Sequence, residues 1–214
     1  TDEVYGSIDA GFASEDASLR PSNPYSTSKA GADLLVQSYA KTYDVPAVIM
    51  RGSNNYGPYQ YPEKLIPMAV SNLMENKKIP LHGTGEHVRS WLHVKDFCSA
   101  IDLAAHKGAK RGIYNVSGEQ MNNLEILAII AEHLGKNILD FKEHVGDRPG
   151  ADMRYAPDPA RLQHELGWSR AYSVHSSLTD VVDWYAQNQE WWRKIKDTKE
   201  FQDYYDKQAK AQWY

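Results

Sequence analysis

The spacing of apolar and polar positions divides this chain into alternating helical and extended stretches. Asn23-Pro24-Tyr25-Ser26-Thr27-Ser28-Lys29 opens a helix whose apolar residues Ala30, Leu34 and Leu35 recur at helical spacing, and which stops near Tyr43-Asp44. Pro24 suits a first helical turn, and Ser22 or Asn23 can cap it. Val45 to Arg51 is a short apolar run bounded by turn signals, read as a buried parallel strand. Gly52 to Pro58 is read as the loop at its carboxyl end, where open α/β folds place ligands.

Further along, the pattern predicts a helix over Leu65 to Met74, strands at Pro80 to Gly83 and Trp91 to Val94, and a helix from Phe97 to His106. Ile113 to Val116 is a strand closed by Ser117-Gly118, and Asn122-Asn123 cap an amphipathic helix from Leu124 to Ala131 that ends at Gly135. A loop carries Gly146 to Gly150, a short helix covers Pro159 to Leu166, and a longer one covers Ser176 to Trp192. The remaining tail is rich in Lys, Asp, Tyr and Trp and reads as a peripheral helix or an oligomer contact. Strands alternating with helices predict an α/β fold with a mainly parallel sheet.

Composition narrows the classes. The chain has 214 residues, 42% hydrophobic and 24% charged, enough for one or two domains with a sizeable core. A net charge of −4 argues against a broad nucleic-acid footprint, so an anionic ligand must meet a few local cations. One cysteine, Cys98, excludes an internal disulfide and fits a reducing, cytoplasmic compartment. No apolar run approaches the roughly 18 residues of a membrane span. The chain starts at Thr1 without an initiator Met, and Val4-Tyr5-Gly6 reads as a strand end running into a loop, so a preceding part is expected to be missing. No G-x-G-x-x-G or G-x-x-G-x-x-G turn occurs in it.

Chemistry gathers at two places. Tyr25 and Lys29 stand one turn apart on a helix face, where an ammonium can bring a phenol toward use as a proton acceptor near neutral pH. The same spacing also suits an ordinary surface pair. Asp2-Glu3 can supply an acid and a base together if their surroundings separate their pKa values, and equally suits a solvated acidic loop. His82, His87 and His93 lack metal-ligand spacing with a Cys or carboxylate, so no metal site is expected.

Four segments in order resemble the dTDP-glucose 4,6-dehydratases, a family of extended short-chain dehydrogenase/reductases. They are Thr1 to Gly6, Pro24 to Lys29, Ser53-Asn54-Asn55-Tyr56-Gly57-Pro58 with Pro62 to Pro67, and Asp147-Arg148-Pro149-Gly150. The resemblance runs to about Trp192. It implies the C-terminal part of an NAD-binding Rossmann-type fold with a parallel sheet, plus a smaller α/β substrate-binding domain. Residues 1–60 would be the rest of the dinucleotide-binding domain, 61–90 a substrate segment, 91–118 a return to the dinucleotide sheet, 119–192 the substrate-binding domain and 193–214 a peripheral tail.

The family implies a lyase that oxidises the sugar at C4, eliminates water across C5 and C6, and returns the hydride to C6. Tyr25 with Lys29 would take the 4-hydroxyl proton, Glu3 the C5 proton, and Asp2 would protonate the departing 6-hydroxyl, with Thr1 hydrogen-bonded near the 4-hydroxyl. NAD would also meet Tyr25, Lys29 and Asn55. The nucleotide sugar would meet Thr1, Asn54, Lys64, Leu65, Pro80, His82, Arg89, Asn123 and Arg148. Asp2 distinguishes this family from 4-epimerases, with small or hydroxyl residues there, and from decarboxylases and GDP-mannose dehydratases, which resemble Thr-Ser-Glu. Where the family usually shows Tyr, Asp and His, this chain has His82, Ser90 and Ala151; His82 and Ala151 fall among the expected nucleotide contacts, which bears on base or phosphate recognition. Alternatives are a 4-epimerase or decarboxylase using the same ketone, or a truncated non-catalytic remnant. A cytoplasmic homodimer through the Tyr25 helix is expected, with no nucleic-acid or membrane partner.

Overall fold

Local capping sets the longest helix. Asn23 accepts a hydrogen bond from Ser26 N at 2.9 Å, Pro24 occupies the first turn, and α1 then runs Pro24–Tyr43. Asp44, in the left-handed region at φ 57°, ends it. The computed structural model describes residues 1–210, so the end of the expected tail, 211–214, lies outside the described residues. The described chain forms two units, one of residues 1–55, 88–120 and 150–173, the other of 56–87, 121–149 and 174–210.

In the first unit, β1 (Ile49–Gly52) pairs in parallel with the later strand Ile113–Val116, placing Ile49 opposite Ile113 and Arg51 opposite Asn115. The run Val45 to Val48 does not join the strand. Pro46 has no N–H to give, and Ala47 N turns back to Val45 O at 2.9 Å. The stretch expected as a plain loop contains β2 (Asn54–Tyr56), which belongs to a three-stranded sheet in the order β2-β4-β6. Here β3 is Ile79–His82, β4 Val88–His93, β5 Ile113–Val116 and β6 Glu119–Asn122. Helix α3 (Val94–Lys107) and helix α6 (Ala160–Leu166) cover a core of Leu92, Ala100, Ala104, Tyr114, Val116, Leu162, Leu166 and Trp168. Gly118 has no alternative residue, because a Cβ there would fall 1.7 Å from Trp91 O.

Val4-Tyr5 is not a strand end. Asp2–Tyr5 is a single turn of 3-10 helix, capped by Thr1 Oγ1, which accepts from Glu3 N at 3.3 Å, and closed by Gly6 N donating to Glu3 O at 3.1 Å. Segment 150–173, expected with the substrate-binding domain, lies in the first unit. Ala13 N donates to Ala156 O at 2.8 Å and Val88 N to Met153 O at 2.8 Å, stitching it there.

The second unit packs α2 (Leu65–Met74), α4 (Asn123–His133) and α7 (Val174–Gln187) together, burying Leu73, Ile126, Leu127, Ile130, Leu178, Val182 and Tyr185. Helix α4 starts with a reciprocal capping box between Asn122 and Glu125. Two elements escaped the sequence pattern, the short helix α5 (Ile138–Phe141) and β7 (Lys142–Val145), which pairs in parallel with β3. The expected helix to Trp192 breaks at Asn188, whose side chain and backbone N–H both turn to Trp184 O. Helix α8 (Gln189–Lys196) and α9 (Lys199–Ala209) follow. Among the described residues, no helix is long and apolar enough to cross a membrane.

Candidate active site

The first unit brings both chemical groupings of the sequence onto one scaffold. The 3-10 turn and α1 pack together, with Val4, Tyr5, Ala13 and Ala30 forming their shared core. Beneath them, Arg51 on β1 makes a bidentate pair with Asp33 on α1, Nε to Oδ2 at 2.7 Å and Nη2 to Oδ1 at 3.1 Å. Arg51 Nη1 also donates to Tyr5 Oη at 2.6 Å and to Glu15 O at 3.0 Å, so one buried guanidinium ties β1, α1 and the 3-10 turn. Tyr5 Oη in turn donates to Asn115 Oδ1 at 2.8 Å.

On this base Asp2 is buried, at 3% exposure, and its Oδ2 has no hydrogen-bond partner. Burial pushes its carboxyl up to about 7, the Glu3 charge adds to the rise, and Arg89 opposes it. Near neutral pH Asp2 therefore keeps its proton about half the time, and one of its oxygens is aimed at no protein group. Glu3, next to it, is half-buried, and its Oε2 accepts from the buried Ser26 hydroxyl at 3.4 Å. Tyr25 is half-exposed on α1, with the Lys29 ammonium 5.7 Å from its ring centroid.

Arg89, expected among the nucleotide-sugar contacts, is already engaged by the protein. It lies buried on β4, its Cζ 4.3 Å from the Tyr155 ring centroid, and donates to the carbonyls of Val88, Asp152 and Met153. Tyr155 Oη donates to Asp152 Oδ2 at 3.0 Å, and Ser22 Oγ to the same oxygen at 2.5 Å. Burial and the nearby Glu3 charge hold the Tyr155 phenol well above its ordinary value. Asn54 and Asn55 are half-buried on β2, and Asn55 Nδ2 donates to Ser53 O at 3.0 Å.

The other expected ligand contacts lie in the second unit. Lys64 stands just before α2, its side chain pairing with Glu63 at 2.8 Å, with Leu65 the first helical residue. Pro80 is buried on β3, His82 ends that strand with Nδ1 3.3 Å from Gly146 O, and Asn123 starts α4. Burial lowers the His82 pKa, and Arg148 lowers it further, which places that cation within electrostatic reach of the imidazole. Arg148 is exposed, with its N–H donating to Asp147 Oδ1 at 2.8 Å. Among the described residues, no three His, Cys, Asp or Glu side chains are grouped to hold a metal ion.

Sequence reasoning missed Ser26, Arg51, Asp33 and Tyr155. Ser26 was inside the helix-start motif, and its placement between Tyr25 and Lys29 was the available signal. The other three give no local signal, because their partners are distant in sequence.

A family model for GDP-mannose 4,6 dehydratase matches residues 1–181. The chain belongs to that family. Within it, the chain is 44% identical over 206 residues to a dTDP-glucose 4,6-dehydratase of Mycolicibacterium smegmatis, covering 94% of this chain and 62% of the relative. The dTDP-glucose 4,6-dehydratase of Bacillus anthracis in complex with NAD superposes with a TM-score of 0.88 at 47% identity, over 92% of this chain and 63% of that one. A UDP-glucuronic acid 4-epimerase of Bacillus cereus, in complex with UDP-glucuronic acid and NAD, shares the architecture at TM-score 0.82 and 26% identity, over 87% of this chain and 60% of that one. The chain thus spans about 60% of the length of the curated relatives it matches. The family's α/β fold with parallel strands, expected from the alternating pattern, is the one observed.

Proposed function

We propose that this chain carries the catalytic residues of a lyase that dehydrates a nucleoside-diphosphate hexose, dTDP-glucose, to its 4-keto-6-deoxy product. The observation that carries the reading is Asp2, a buried acid with its pKa near 7 and one oxygen without a protein partner, beside a second carboxyl at Glu3. Water elimination needs such a combination, a proton donor for the leaving hydroxyl and a base for the adjacent carbon.

Tyr25 and Lys29 offer a phenol and an ammonium from one accessible helix face, a donor set that suits a nicotinamide cofactor and a sugar hydroxyl. Tyr25, Lys29 and Asn55 would hold NAD, which would supply a hydride acceptor for C4 and a donor for C6. Tyr25 accepts the 4-hydroxyl proton, with the Lys29 ammonium beside its ring. Glu3, held by Ser26, removes the C5 proton made acidic by the 4-ketone. Asp2 gives its proton to the 6-hydroxyl, which leaves as water. Thr1 hydrogen-bonds the sugar near its 4-hydroxyl, Asn55 contacts the cofactor, and Asn54, Lys64, Leu65, Pro80, His82, Arg89, Asn123 and Arg148 hold the nucleotide sugar. Arg89, whose donors already reach three carbonyls, contributes mainly positive charge near Asp2. The working form is a cytoplasmic homodimer.

The full-length protein with dTDP-glucose and NAD+ is expected to form the 4-keto-6-deoxy sugar. Glu3→Gln should lower turnover by about a thousandfold, the range of a positioned general base. Full activity in Glu3→Gln would remove the base assignment.

A further inference from the structure

The first turn after β3 and the loop after β7 run side by side. Gly83 N donates to Val145 O at 3.0 Å, and His144 Nδ1 lies 2.9 Å from Gly83 O, so the two chain segments leave their parallel strands in fixed register. From the first of these turns comes His87, 4% exposed; from the other comes Asp147. Nε2 of His87 lies 3.0 Å from Asp147 Oδ2. Nε2 makes no well-formed hydrogen bond there, so the contact is one of close approach.

A glycine makes room for this pair. Gly83 has φ 58°, and a Cβ on it would stand 2.9 Å from Asp147 Oδ2 and 3.2 Å from His87 Cε1. The other oxygen of Asp147 accepts the Arg148 backbone N–H at 2.8 Å. One carboxylate therefore joins a buried imidazole to the backbone of an exposed arginine. The opposite side of the loop is held too, since His82 Nδ1 lies 3.3 Å from Gly146 O.

We infer that His87 is a positioning residue for nucleoside-diphosphate binding: through Asp147 it fixes the loop that presents the Arg148 guanidinium to the diphosphate. The inference rests on the reading of Arg148 as a diphosphate contact given above. His87 does not touch the ligand. Its work is preorganisation, keeping an exposed arginine on a loop from sampling geometries that miss the phosphate oxygens. The free Asp147 side chain, 41% exposed, would otherwise be open to compete for that guanidinium.

The test is calorimetric titration of the full-length protein with dTDP, alongside the product assay on the same preparations. His87→Ala should weaken dTDP binding about tenfold, because the loop loses the buried side chain that fixes it and the arginine must be ordered on binding. Arg148→Ala should weaken it by at least as much, and the double variant should be no weaker than Arg148→Ala alone, because one residue acts through the other. His87→Gln, which keeps a polar side chain of similar reach against Asp147, should restore most of the affinity. Wild-type affinity in His87→Ala, or losses that multiply in the double variant, would overturn the inference. Should His87→Ala fail to fold, Asp147→Asn on the exposed side of the pair must show the same loss, and unchanged binding there overturns it equally. If the wild type forms the 4-keto product while the His87 variants bind normally, only this inference falls. If the wild type binds no dTDP at all, the diphosphate reading falls with it.

Discussion

Replacing Asp2 by Asn tests the acid without any substrate. In the folded protein the Asp2 carboxyl is raised from 3.8 to about 7, with burial as the main cause. A folded pKa above the unfolded one means that the native state binds the extra proton, and that ionising the group at higher pH works against folding. The cost starts as pH rises past the unfolded value and is complete above about 7. At about 1.36 kcal/mol per unit, a shift of about 3 units amounts to roughly 4 kcal/mol. Over the accessible window from pH 5 to pH 8 the wild type should lose about 3 kcal/mol relative to Asp2→Asn, which cannot ionise. Urea unfolding of both proteins across that window, with tryptophan fluorescence as the readout, measures the difference directly. Stability curves that stay parallel from pH 5 to pH 8 would refute the raised pKa, and with it the proposal that Asp2 arrives at the sugar as a proton donor.

The same ionisation sets an upper limb in the rate profile: kcat should fall as pH climbs past about 7, and a rate still rising at pH 9 would contradict Asp2 as the acid. Asp33→Ala strands the buried Arg51 guanidinium and should cost about 3–5 kcal/mol in denaturant unfolding; a loss below 1 kcal/mol would mean that the pair does not tie α1 to β1. Gly118→Ala places a methyl 1.7 Å from Trp91 O, so expression should shift to the insoluble fraction or stability drop by about 3 kcal/mol or more, and a wild-type melting curve would overturn that packing.

What was legible in the chain was what local chemistry controls. The bounds of α1 follow from Asn23 and Pro24 at its start, and the start of α4 from the Asn122 and Glu125 capping box. Strands whose existence depends on a distant partner were not legible. β2 and β6 are short polar segments with no alternating pattern of their own, and each becomes a strand only beside β4. β7, Lys-Glu-His-Val, likewise owes its form to β3. The candidate site divides in the same way. Tyr25 and Lys29 follow from helical spacing, whereas Asp2-Glu3 reads locally as a solvated acidic pair. That Asp2 is instead sealed from water follows from the turn packed on α1 and held by Arg51 through Tyr5, contacts that span 46 residues and carry no sequence pattern. Arg89, expected from the family resemblance to meet the nucleotide sugar, is engaged by three backbone carbonyls that no local pattern signals.

The central claim is that this chain's residues eliminate water rather than invert a hydroxyl. Full-length protein, NAD+ and dTDP-glucose deuterated at C4, with the product examined by mass spectrometry and proton NMR, decide it. The account predicts a 4-keto-6-deoxy sugar with the deuterium moved to C6, and a C5 proton that is replaced by solvent deuterium when the reaction is run in heavy water. A C4-inverted sugar that keeps its 6-hydroxyl, with the label still at C4 and no exchange at C5, would contradict it.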